Sequence, residues 1–169
     1  GFQLPGLEIS NYPNPVETSK FDFTLYALEQ KDSLYISFDY SLDLYNSSTI
    51  AEMLDQHPAV EQVFFPGLKH NPGHEIASRQ MADFGGMIAL ELTGGYEAAV
   101  AMLNRLKLAK LAVSLGDAET LVQHPASMTH SVCSPEERAE QGISESLVRI
   151  SAGLEAVEDI IADLEQALR

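Results

Sequence analysis

The 169-residue chain is short of cysteine, tryptophan and positive charge: it has one cysteine, no tryptophan, and ten basic residues against 25 acidic ones. The single cysteine, Cys133, excludes an internal disulfide framework and suits a reducing compartment, so we expect a cytoplasmic protein with an ordinary loop thiol. The formal net charge of −15 would repel nucleic-acid phosphates and an anionic membrane surface alike. We therefore expect neither nucleic acid nor membrane as a partner.

Several functional motifs are also absent from the sequence. No apolar run approaches the roughly 20 residues that span a bilayer, and we expect no signal peptide at the N-terminus. The chain contains no nucleophile elbow and no phosphate-binding glycine loop. His70 and His74 have the spacing of two zinc ligands on a helix, but Asn71-Pro72-Gly73 between them disfavours a regular helix. We therefore expect no metal site.

The hydrophobic pattern divides the chain into two parts, residues 1–46 and residues 47–169. In the first part, Phe21, Phe23 and Leu25 alternate with polar residues, and the same alternation returns from Leu34 to Tyr40, which is typical of two strands. The polar residues 29–32 between them predict a hairpin connection. We expect the first part to be a β-hairpin segment of different origin from the second.

The second part alternates helical and strand patterns. A possible capping box from Thr49 to Glu52 predicts the start of the first helix, and Ser134-Pro135-Glu136-Glu137 predicts the start of a later one. The apolar periodicity predicts strands at residues 60–65, 87–92, 111–115 and 147–152, and further helices around residues 76–81, 96–106 and 154–168. These elements predict an α+β domain, with helices packed on one face of a mostly antiparallel sheet.

Arg149 is the residue whose chemistry stands out in this pattern. It lies in the middle of an apolar strand, on the opposite face from Val148 and Ile150. A guanidinium is costly to bury without a partner, and its planar fork suits a carboxylate held by two hydrogen bonds. Arg149 is therefore a candidate for binding a ligand carboxylate, and the alternative is a structural salt bridge with one of the many acidic residues.

Residues 114–130 contain further candidate groups. Ser114, just before Gly116 at a strand end, could offer a hydroxyl or backbone N–H groups to the same anion, although the pattern also fits a simple turn. Glu119 could act as an acid or base or lie at the surface. His124 and His130 lie in the same stretch, where their side chains could serve only for loop packing or for capping by hydrogen bonds.

Several motifs in the second part are similar to one enzyme family. In chain order they are His57-Pro58-Ala59-Val60, Phe65-Pro66-Gly67-Leu68, Phe84-Gly85-Gly86-Met87, the 114–130 stretch, Pro135-Glu136-Glu137-Arg138 and Leu147-Val148-Arg149-Ile150-Ser151. With them, residues 50–169 resemble the C-terminal domain of the pyridoxal-phosphate-dependent enzymes of cysteine and methionine metabolism. This family includes methionine γ-lyase, which the chain resembles most, cystathionine γ-lyase, cystathionine γ-synthase and O-acetylhomoserine sulfhydrylase.

The resemblance implies roles for three residues. In such enzymes the arginine that matches Arg149 binds the substrate α-carboxylate, the serine that matches Ser114 lies beside it, and the position of Val113 lines the same pocket. The family's large domain carries the Schiff-base lysine and the other pyridoxal phosphate contacts. Thr18-Ser19-Lys20-Phe21 only faintly resembles the lysine motif. We therefore expect no catalytic residue and no cofactor site in these 169 residues, and no activity from them alone.

The first part bears a weaker resemblance to another module. Asn11-Tyr12-Pro13-Asn14-Pro15 and the two alternating segments after it are similar to the C-terminal sorting domain of the type IX secretion system, without its usual ending in Gly-Arg. This suggests a chimera.

Three hypotheses follow: the carboxylate-binding domain of a sulfur-amino-acid lyase or transferase, a recombinant or designed fold without a ligand, or an amino-acid carboxylate binding module. A homo-oligomer could form through surface that the large domain normally covers.

Overall fold

A computed structural model describes residues 23–30, 33–40 and 47–169. The chain divides into two compact units, Gly1–Leu42 and Asp43–Arg169, and each is described by itself. In the first unit, strands β1 (Phe23–Gln30) and β2 (Ser33–Tyr40) pair antiparallel, with Phe23 opposite Tyr40 and Gln30 opposite Ser33. The predicted hairpin is confirmed, although Glu29 and Gln30, predicted in the connection, belong to β1.

The second unit is built on a sheet of five strands. They are β3 (Val60–Phe64), β4 (Met87–Leu92), β5 (Lys110–Leu111), β6 (Leu121–Gln123) and β7 (Leu147–Ser151), and their order across the sheet is β3-β4-β7-β6-β5. Every neighbouring pair is antiparallel except β5 and β6, which run parallel. The predicted mostly antiparallel sheet is therefore confirmed.

Five helices accompany this sheet: α1 (Ser47–Asp55), α2 (His74–Gln80), α3 (Gly95–Arg105), α4 (Pro135–Glu140) and α5 (Val157–Ala167). Helices α1 and α3 contact the strands, and both contact α5, so the three form a layer on one face of the sheet. Between the layers lie fully buried side chains such as Leu54, Leu90, Ile150 and Leu164. No helix in the described ranges is long and apolar enough to cross a bilayer.

Two local predictions need correction, and one strand was not predicted. The strand predicted at residues 111–115 is only Lys110–Leu111, because the chain leaves the sheet into a loop in which Gly116 has a φ of +71°. Helix α1 begins at Ser47, ahead of the predicted Thr49, and the Ser47 hydroxyl donates to the Gly85 carbonyl at 2.7 Å. Strand β6 was not predicted, since three residues are too few to show a period.

The predicted start of α4 is confirmed. The Ser134 hydroxyl accepts from the backbone N–H of Glu137 at 3.2 Å, and the Glu137 carboxylate accepts from the backbone N–H of Ser134 at 2.8 Å. This reciprocal capping box satisfies two N–H groups that an open helix end would leave unpaired. Gly142, with a φ of +72°, follows the end of the helix.

Asp163 joins α5 to the loop that leads from α3 to β5. Its buried carboxylate accepts from the backbone N–H groups of Lys107, Leu108 and Ala109 at 2.8, 2.9 and 2.9 Å. Burial acts to raise the pKa of Asp163, but these bonds, with one from the Gln166 amide, outweigh it and hold the pKa below its ordinary value. The ionised form therefore stabilises the fold.

We expect Asp163→Asn to lower the free energy of unfolding at pH 7 by roughly 2–3 kcal/mol, because the amide nitrogen would face backbone donors. The folded pKa is depressed, so the contribution of Asp163 is present above about pH 4 and fades as pH falls through the folded value. Urea unfolding of both proteins at pH 7 and at pH 3 would measure this. Glu165→Gln, at an exposed site on the same helix, is the control. A difference that did not narrow on acidification would contradict the prediction.

Candidate functional site

The candidate site lies on the sheet face opposite the helices. Alternation along β7 places Val148 and Ile150 in the core and Arg149 on the other face, where its side chain is half-buried. β7 is the central strand, so Arg149 has a cross-strand neighbour on each side: Ala89 on β4 and Gln123 on β6. Ala89 brings only a methyl group to one side of Arg149, whereas Gln123 brings a polar group to the other.

Two polar groups hold the guanidinium of Arg149. Its Nη2 donates to the backbone carbonyl of Ser114 at 2.9 Å. With the Gln123 amide oxygen turned toward Arg149, that oxygen accepts from Nη2 at 3.2 Å and from Nε at 3.3 Å. Gln123 is itself only 2% exposed, so packing fixes its position. Together these contacts set the orientation of the guanidinium plane.

Arg149 lacks an acidic partner in the described part of the chain. The ion pairs found there are Lys110 with Glu119 at 3.8 Å, Arg138 with Glu145, and His70 with Asp55 at 3.4 Å if the histidine is protonated. Within the same residues, Nη1 of Arg149 has no hydrogen-bond acceptor. The structural salt bridge that the sequence left open is therefore not found among these residues, and Nη1 can donate to a ligand.

The loop between β5 and β6 forms one border of the site. Ser114 and Val113 lie in it and are both exposed, and the Ser114 carbonyl is the group that bonds to Arg149. The structure thus brings Ser114 and Arg149 together, with Val113 next to them in the chain. Val113 and Leu115, on either side of Ser114 in the chain, are 56 and 57% exposed, so apolar side chains flank Ser114 in this loop.

The loop is fixed at several points to the rest of the sheet. The backbone N–H of Ala112 donates to the Val122 carbonyl at 3.1 Å, which extends the β5–β6 pairing by one residue. Further along, the backbone N–H of Gly116 donates to the buried hydroxyl of Ser151 at 2.9 Å. Since Ser151 is two residues after Arg149, the same strand carries the arginine and anchors the loop.

The other candidate residues have separate structural partners. His124 is buried, with Nδ1 2.8 Å from the Ser127 hydroxyl and Nε2 2.9 Å from the Glu145 carbonyl. The Nδ1 atom of His74 lies 2.8 Å from the Pro66 carbonyl, and its ring stacks on Phe84. The described ranges contain no cluster of three or more histidine, cysteine or acidic side chains that could hold a metal.

Sequence reasoning missed Gln123. The three residues of β6 are all buried, but so short an apolar segment gives no alternation that would reveal a strand. Without that strand, the register that sets Gln123 opposite Arg149 is not visible in the sequence. A glutamine directly after the apolar pair Leu121-Val122 was the only available hint.

The described residues do not fit pyridoxal phosphate as a cofactor. A Schiff base needs a lysine beside the site, whereas Lys69, Lys107 and Lys110 are all exposed and the last of them lies near Glu119. Lys20 and Lys31 lie outside the described residues. What these residues do offer is a positioned cation and a serine flanked by apolar side chains, which suits the carboxylate and side chain of an amino acid.

Comparison with known proteins gives the same family from sequence and from structure. The model of the Cys/Met metabolism PLP-dependent enzyme family matches residues 42–169. L-methionine γ-lyase of Fusobacterium nucleatum subsp. polymorphum is 54% identical over 154 residues, which is 87% of this chain and 39% of that enzyme. L-methionine γ-lyase of Porphyromonas gingivalis W83 is 62% identical over 123 residues, or 73% of this chain and 31% of that enzyme.

The crystal structure of cystathionine γ-synthase from Xanthomonas oryzae pv. oryzae, in complex with aminoacrylate and cysteine, superposes with a TM-score of 0.70 at 49% identity. The match covers 73% of this chain and 32% of that one. The chain therefore spans about a third of the length of the relatives it matches. With the family model over most of its residues and the α+β fold of this domain, the chain belongs to the pyridoxal-phosphate-dependent enzymes of cysteine and methionine metabolism.

Proposed function

We propose that this chain supplies the subsite that binds the substrate carboxylate, here called the carboxylate grip, in a pyridoxal-phosphate-dependent lyase or transferase that acts on sulfur amino acids. Arg149 binds the α-carboxylate, and Ser114 borders it. Val113 lines the space for the substrate side chain. These residues bind and orient the substrate, and the cofactor, held outside the described residues, supplies the electron sink for bond cleavage.

The observation that carries this proposal is the state of the Arg149 guanidinium. It is held in one orientation by neutral groups, the Ser114 carbonyl and the Gln123 amide oxygen, so its positive charge is not cancelled by them. A guanidinium fixed in this way loses little side-chain entropy when a carboxylate binds, and the bond is charge-assisted. Fixed orientation with an uncancelled charge is what a carboxylate subsite requires.

The proposed substrate class draws on two further points. The exposed side chains of Val113 and Leu115, on either side of Ser114, suit an apolar ligand side chain such as a thioether. The two lyases compared above carry methionine in their names, and the synthase structure holds cysteine. We therefore take L-methionine as the probe ligand.

We expect Arg149→Ala to weaken binding of L-methionine at least tenfold, because the carboxylate would lose its charged partner at a partly desolvated site. Arg149→Lys should restore the charge but not the fork, and so recover only part of the affinity. An NMR titration that follows the Nε–Hε resonance of Arg149 in the wild type, and loop amides in all proteins, would measure this.

Two controls make the titration specific. Arg79→Ala removes the same charge at an exposed site on α2 and should bind methionine like the wild type. The amine 3-(methylthio)propylamine, which is methionine without its carboxylate, should not shift the Arg149 signal. Equal methionine affinity in the wild type and Arg149→Ala would sink the proposal, and the absence of saturable binding in both would favour a fold without a ligand.

We expect Gln123→Glu to prevent ligand binding at Arg149 by supplying an internal carboxylate. The new carboxylate would sit across from Arg149, in place of the amide oxygen at 3.2–3.3 Å, and pair with it. Methionine affinity should fall at least tenfold while the protein stays folded, since a buried acid with an adjacent guanidinium is satisfied.

Gln80→Glu, which adds the same charge at an exposed site, should leave methionine binding unchanged. The comparison is read by the same titration, with urea unfolding as the measure of stability. Full methionine affinity in Gln123→Glu would show that Arg149 is not the carboxylate partner.

We also expect these 169 residues to consume no L-methionine when pyridoxal phosphate is added. The described lysines are exposed, and Lys110 lies 3.8 Å from the Glu119 carboxylate, so we expect none of them to hold the cofactor next to a bound substrate. Chromatographic measurement of methionine over time, against free pyridoxal phosphate alone, tests this. Turnover above that background, with borohydride trapping of the cofactor on a single lysine, would contradict the expectation.

A further inference from the structure

A buried network of hydrogen bonds joins the loop that carries Ser114 to the segment that follows Arg149. Thr120, at the end of the loop, is fully buried, and its hydroxyl donates to Glu155 Oε2 at 2.7 Å. Its backbone N–H donates to Glu155 Oε1 at 2.8 Å, so one carboxylate takes two bonds from one residue. The Thr120 hydroxyl also accepts from the backbone N–H of Gly153 at 3.0 Å.

The backbones of the two segments approach each other closely at this network. The Leu154 backbone N–H donates to the Ala118 carbonyl at 2.8 Å. A methyl group placed on Gly153 would lie 2.5 Å from backbone atoms of both Glu119 and Thr120, which is too close for any side chain. Glycine at position 153 is therefore required by space rather than by backbone conformation.

We propose that Thr120 and Glu155 are positioning residues for the carboxylate grip, and this inference rests on the proposed function. The network clamps one end of the 112–120 loop, and the Gly116 bond to Ser151 fixes its middle. The Ser114 carbonyl, which takes the Arg149 Nη2 bond, lies two residues before Gly116. Thr120 and Glu155 thus set where Ser114 meets Arg149 without contacting the substrate themselves.

The chemistry of the network explains why both residues are needed. The Thr120 hydroxyl is donor and acceptor at once, so replacing it with an apolar group leaves Glu155 Oε2 and the Gly153 N–H short of a partner together. The carboxylate of Glu155 is the only part of the side chain that can accept from both Thr120 donors. An isolated helix cap or surface ion pair would not connect these two segments.

The test compares Thr120→Val, which has nearly the same shape without the hydroxyl, with Thr120→Ser, which keeps the hydroxyl. Hydrogen exchange of the Gly116 and Gly153 amides and the Arg149 Nε–Hε resonance report the geometry, and L-methionine titration reports the grip. We expect Thr120→Val to speed exchange at both amides at least tenfold, to shift the Arg149 resonance, and to weaken methionine binding at least tenfold. Thr120→Ser should stay within about threefold of the wild type on each measure.

Asp163→Asn is the matched control for general destabilisation. It breaks a comparable carboxylate-to-backbone network at the α3–β5 loop, so it should lower stability while leaving the Arg149 resonance and methionine affinity unchanged. If Thr120→Val does not fold, Glu155→Gln, which retains one acceptor oxygen, takes its place with the same expected directions.

Three results would overturn the inference. The first is an Arg149 resonance that does not shift in Thr120→Val. The second is a Thr120→Ser protein that behaves like Thr120→Val. The third is a loss of methionine affinity in Asp163→Asn as large as that in Thr120→Val. A wild-type chain that does not bind methionine counts against the proposed function alone. In that case the positioning inference is decided by the exchange rates and the Arg149 resonance, which need no ligand.

Discussion

The structure of the site depends on one energetically costly feature. An always-charged guanidinium lies on the central strand of an apolar sheet. Partial burial of such a group costs on the order of several kcal/mol unless polar partners replace water. Here the partners are the Gln123 amide oxygen across the strand and the Ser114 carbonyl from a loop. An acidic partner would stabilise the arginine more strongly, but it would also compete with any carboxylate ligand. Neutral partners keep the residue folded in place and available.

The two faces of the sheet divide the work between them. Helices α1, α3 and α5 pack on one face, where Ile88, Val148 and Ile150 are fully buried. On the other face the same strands carry Ala89, Arg149 and Ser151. Because alternation is strict, a one-residue shift in register would send Arg149 into the core and an isoleucine or valine to the site. The apolar core therefore fixes the strand register, and the register places the arginine on the face opposite the helices.

Long periodic segments explain what could be predicted. Strands β4 and β7 and helices α3 and α5 show clear alternation or a three-and-four spacing, and the capping box at Ser134 marks a helix start by chemistry alone. Strand β6 and its Gln123 could not be predicted, since their role depends on a cross-strand register formed by residues far apart in sequence. The same is true of Thr120 and Glu155, which are 35 positions apart. Arg149 could be identified from the sequence because a charged residue is unusual in an apolar strand. Its partners Gln123 and Ser114 lie in segments where polar residues are ordinary.

The acidic balance of the chain bears on which ligand the site can recruit. With a net charge of −15, long-range attraction of an anion to Arg149 is opposed by the rest of the molecule. A zwitterionic amino acid has no net charge to be repelled, and its ammonium group is attracted by the net negative charge of the chain. At physiological ionic strength, charges beyond about 8 Å are largely screened, so within the site the local guanidinium dominates. For the proposed function, the net charge of the chain therefore opposes a simple carboxylate but not a zwitterionic amino acid, a distinction that the guanidinium alone does not make.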